Sequence, residues 1–90
     1  MKRFVIEREV SGIGSKSAAE LKAIAGISNG ALAELAPHVQ WEHSYVTGDK
    51  TFCVYLAEDE AAVRKHAELS GIPANKITPV TGIIDPLTAE

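Results

Sequence analysis

The sequence predicts an α+β sandwich, a four-stranded antiparallel sheet with two helices packed on one of its faces. Three observations lead there. Segments that alternate with period two stand near both ends of the chain and in its middle, two segments with helical spacing separate them, and the resulting order is βαββαβ. Right-handed crossovers then set the strand order 4-1-3-2 and leave the second face of the sheet uncovered.

The first strand is "RFVIEREV", with Phe4, Ile6, Arg8 and Val10 on one side and Arg3, Val5, Glu7 and Glu9 on the other. A loop, "SGIGSKS", follows, and Ser17 with Glu20 three residues on forms a capping-box signature. Leu21, Ile24, Ala25, Ser28, Leu32 and Leu35 share one stripe of the first helix, which Pro37 ends. Gly26 and Gly30 each weaken that helix by roughly 1 kcal/mol relative to alanine. They mark either a close approach of its backbone to a neighbour or a break near Asn29.

"VQWEHSYVT" and "KTFCVYLA" flank Gly48 and Asp49 and read as a β-hairpin. The second helix begins among acidic residues after Glu58, carries Arg64, Lys65 and His66 later, and closes at Gly71 and Pro73. "NKITPVTGIID" supplies the last strand, with Pro79 suited to an edge, and Pro86 begins a short tail. This βαββαβ arrangement is ferredoxin-like, and residues 1–90 make one domain.

With 90 residues, 46% of them hydrophobic, the chain can fill one two-layer core and no second one. The net charge of -3 gives no field to gather phosphates, so nucleic acid and anionic membranes are poor partners. "MKRFVIEREV" interrupts its apolar residues with charges and reads as neither a signal peptide nor a membrane span, which predicts a cytoplasmic protein. A lone cysteine, Cys53, fits a reducing compartment and leaves a free thiol.

Chemistry is sought on the open face. Phe52, Val54 and Leu56 form the more apolar side of the third strand and are expected to face the helices, which sends Cys53 and Tyr55 to the open face beside Glu7 and Glu9. His43 depends on the turn: a two-residue Gly48-Asp49 loop of type II′ pairs it with Val54, on the helix side. A three-residue loop or a bulge puts Trp41, His43 and Tyr45 with Cys53 instead.

Each candidate has a plainer reading. Cys53 alone is a small buried hydrophobe, His66 serves a helix C-terminus, His38 is solvated, and Glu7 and Glu9 confer solubility. Gly12-x-Gly14 lacks the third glycine of a dinucleotide fingerprint and reads as a turn. No orienting residue or oxyanion donor accompanies Cys53, so catalysis is not favoured. A metal site asks less, because imidazole, thiolate and carboxylate from His43, Cys53 and Glu7 suit nickel, zinc, copper or cobalt. Two sheets packed face to face at about 10 Å would double every ligand.

"KRFVIEREV", the His43-Ser44-Tyr45 hairpin, "DKTFCVY", the glutamate-rich helix with His66 and "GIPANKIT" together resemble a group of small bacterial ferredoxin-like proteins of unknown function, one member of which binds nickel. The resemblance covers nearly the whole chain. It implies a homodimer of α+β sandwiches that binds a divalent metal, nickel first and zinc second, with His43, Cys53 and Glu7 as the positions carried over. Such a protein would buffer, sequester or sense the metal without being an enzyme. The alternative is a small dimeric enzyme, of isomerase or monooxygenase type, or a ligand-binding module, with a pocket between helices and sheet lined by Trp41, His43 and Tyr45. A third reading is an interaction domain whose open face only makes a dimer.

Overall fold

The computed structural model describes all residues from Met1 to Glu90. Its regular elements are β1 (Lys2–Glu9), α1 (Ala18–Leu35), β2 (Val39–Val46), β3 (Lys50–Ala57), α2 (Glu60–Ser70) and β4 (Lys76–Val80), with short 3-10 turns at Ile13–Ser15 and Pro86–Ala89. The strands form one antiparallel sheet in the order β2-β3-β1-β4, the expected ferredoxin-like topology.

The capping box forms as the sequence predicts: Glu20 N–H donates to Ser17 Oγ at 3.2 Å and Ser17 N–H to the Glu20 carboxylate at 3.2 Å. These bonds hold the Glu20 carboxyl below the usual range, with the charge of Lys16 assisting. The helix then runs unbroken past Asn29. A methyl group at Gly26 or Gly30 would meet nothing within 4 Å, so neither a break nor a close approach explains these glycines. The close approach is at Gly14, where a Cβ would lie 2.5 Å from the Thr47 carbonyl oxygen. There the loop after β1 is laced to the hairpin tip by Val10 N–H to Asp49 O, Gly14 N–H to Gly48 O and Gly12 N–H to the Asp49 carboxylate, each about 3 Å.

The hairpin turn has the two-residue loop but not the type II′ geometry. Gly48 is not in the left-handed region that type II′ requires of its first residue. Thr47 closes the turn with its side chain instead, donating from Oγ1 to Lys50 O and accepting from Lys50 N–H. His43 therefore pairs with Val54 and Tyr45 with Phe52. A register shift falls on Glu42, so Trp41 pairs with Tyr55 while Ser44 pairs with Cys53. One extra residue puts both Trp41 and Ser44 on the helix side.

The core beneath the helices is Phe4, Ile6, Val39, Cys53, Tyr55, Ala57 and Val63. This corrects the facing of β3: Cys53 and Tyr55 lie under the helices, and Phe52, Val54 and Leu56 lie on the open face. The cause is register, since Phe4 stands opposite Tyr55 and Ile6 opposite Cys53, and residues directly opposite share a face.

Candidate functional site

The predicted ligand trio is not brought together. Cys53 is 5% exposed on the covered face, where its sulfur lies 3.5 Å from Thr51 Oγ1, whereas Glu7 and His43 belong to the open face. Even these two are separated, because Glu7 on β1 is opposite Phe52 and His43 on β2 is opposite Val54, with β3 between them. No group of three or more His, Cys, Asp or Glu side chains converges to hold a metal ion. The residues of one chain thus do not by themselves fit a nickel centre.

What the open face offers is an apolar band with a charged margin. Val5, Phe52, Val54 and Leu56 stand half-buried along its two central strands, and Tyr45 at its edge is 61% exposed. His43 is exposed beside it, with Nε2 3.2 Å from the Tyr45 hydroxyl. Over β3, Arg3 Nε donates to Glu42 at 2.7 Å, which holds the Glu42 carboxyl below its usual range and raises Arg3. Beyond β4 the tail leaves Ile83, Ile84 and Leu87 exposed. Thr81, Gly82 and Ile83 reach one end of the band, where they line a shallow pocket with Leu56, and both helices lie on the opposite face of the sheet.

The covered face holds a cavity of about 430 Å³ between α1, the sheet and the segment after α2. Its walls are mostly apolar, with Ile13, Leu21, Ile24, Trp41 and Ile72 among them, and Val46, 47% exposed, brings it to the surface. The pocket of the alternative reading therefore exists and Trp41 lines it, but His43 and Tyr45 lie on the other side of the sheet. Leu21, Ile24, Ala25 and Ser28 make the helix stripe that faces it.

Arg8 is the residue that sequence reasoning passed over. It is 2% exposed and lines the cavity, with Nη1 donating to the carbonyls of Ile72 at 2.9 Å and Pro73 at 3.0 Å. Its carbon Cζ lies 5.9 Å from the centre of the Tyr55 ring. Nη2 has no partner, and none of the chain's ion pairs includes Arg8. The signal was available: Arg8 shares the parity of Phe4 and Ile6, and a charge on the buried side of a central strand needs a reason.

Behind Tyr55 sits His66, 1% exposed, whose Nε2 is 3.1 Å from Ser28 Oγ. It joins α2 to α1 rather than serving the helix dipole. Burial first, then the positive charge of Arg8, pushes its pKa down and keeps the imidazole neutral at pH 7. Burial likewise raises the Tyr55 phenol, against the pull of Arg8. His38 is paired rather than merely solvated, with Nδ1 2.7 Å from Glu58 Oε1.

Comparison with known proteins agrees with the fold. A solved structure, SCO4226 from Streptomyces coelicolor A3(2), superposes with a TM-score of 0.76 at 15% identity, covering 91% of this chain and 99% of that one. No curated protein matches the sequence. Residues 4–80 match the family described as nickel responsive protein SCO4226-like, and the chain belongs to that family.

Proposed function

We propose that the protein is a nickel-responsive homodimer in which the open sheet faces of two copies pack together and metal is held at the surface or margin of the pair. The observation that carries this reading is the open face itself, a half-buried apolar band with no helix over it and an exposed imidazole beside it. The family description supplies the metal. One chain gathers too few ligands, and a two-fold axis doubles each of them.

His43 is the principal ligand, with Glu7 as a second, and nickel is preferred to zinc on the family description alone. Cys53 is left out, because its thiol is buried beneath the helices. Such a protein buffers, sequesters or senses the metal in the cytoplasm and needs no catalytic residue; no helix of the chain is long and apolar enough to cross a membrane.

Equilibrium dialysis against nickel tests this. The wild-type protein and Cys53→Ser are expected to bind stoichiometrically and alike, while His43→Ala loses the site and Glu7→Gln weakens it. Nickel binding unchanged in His43→Ala contradicts the proposal.

A further inference from the structure

We infer that the cavity on the covered face is a binding site for a small monocarboxylate with a hydrocarbon or aromatic body, its carboxylate held by Arg8. The site is separate from the open face, so it stands or falls independently of the metal reading. Three observations carry it.

The first is the unpaired cation. Arg8 is 2% exposed, its Nη1 is fixed on the Ile72 and Pro73 carbonyls, and its Nη2 is left without a partner. A buried guanidinium with no counter-charge is costly, and a ligand carboxylate supplies both the charge and the acceptor. Because Nη1 is fixed in place by two carbonyls, the guanidinium is oriented before any ligand arrives.

The second is the lining. Beyond Arg8 the cavity offers hydroxyls from Ser28, Ser44 and Thr51 against walls that are otherwise mostly apolar. Trp41 Nε1 donates to Ser44 Oγ at 2.9 Å, which leaves the Ser44 proton free for a second acceptor. One cation among apolar walls matches one negative charge on an apolar body. A phosphate dianion would leave a charge uncompensated there.

The third is size and access. About 430 Å³ lies within the range of small-ligand sites, and the exposed Val46 marks the way in.

Trp41 is the chain's single tryptophan and lines the cavity, so its fluorescence reports occupancy. The full-length protein is titrated with octanoate below its micelle-forming concentration, and in parallel with 1-octanol, which keeps the hydrocarbon and drops the charge. The expected result is a saturable change in emission at one octanoate per chain, with octanoate binding about tenfold or more tighter than octanol. In Arg8→Met that preference disappears. Octanoate binding no tighter than octanol to the wild-type protein, or no saturable change with either, overturns the inference, and this comparison decides it even if Arg8→Met does not fold. Retention of the full preference in a folded Arg8→Met also overturns it.

Discussion

Under the helices, β3 presents Thr51, Cys53, Tyr55 and Ala57, all buried; on its other side the same strand presents Phe52, Val54 and Leu56, only half-buried. The covered face carries the polar groups, Arg8, Ser28 and His66, and encloses a cavity. The uncovered face carries much of the bulky aliphatic and aromatic surface. A sheet arranged this way is finished on neither side by its own chain: one face has room for a small molecule, the other for a second layer of protein.

That contrast can be broken first where the effect is largest. Ile6 is fully buried under the helices, and Ile6→Ala is expected to cost about 2–5 kcal/mol in urea unfolding. Val54→Ala, on the half-buried face, is expected to cost roughly 1 kcal/mol when measured on dilute, monomeric protein. Equal losses would mean that the two faces are packed alike within one chain.

A smaller effect sharpens the polar side of the contrast. His66 has a folded-state pKa below its ordinary 6.5, so the unfolded chain takes up a proton first as the pH falls. Its contribution to stability is present above about pH 6.5 and is lost as the pH drops through the depressed folded value. Melting temperatures recorded from about pH 7.5 down to pH 5 are expected to decline less steeply in His66→Gln than in the wild type. Parallel slopes would show that His66 does not titrate against burial and Arg8.

Much of this architecture was legible in the residues. The alternation of β1, the Ser17-Glu20 box and the strand order all read correctly, because each rests on local spacing or on handedness, while the sequence left the Gly48-Asp49 loop open between two residues and three. The facing of β3 did not, because both of its sides are apolar and such a strand lacks the alternation that marks an inside. Only the pairing of Ile6 with Cys53, a contact 47 positions apart in sequence, settles it. The extra residue at Glu42 was equally hidden, since nothing in "WEHSY" distinguishes a bulged strand from a regular one.

The site divides in the same way. Glu7 lies on the open face as its parity implies, whereas the two-residue loop was expected to carry His43 to the helix side with Val54, and the reversed facing of β3 puts both on the open face, away from Cys53. Arg8 was visible in the correct parity and was overlooked as part of an ordinary alternation of charge and hydrophobe.

Whether the open face is an interface between two copies is decided by sedimentation equilibrium of the wild-type protein and Val54→Asp. Twice the chain mass is expected for the wild type and a folded single chain for Val54→Asp, whose carboxylate would be buried between the sheets. A wild-type protein that stays at one chain mass up to high concentration, or a Val54→Asp variant that remains a dimer, would contradict it.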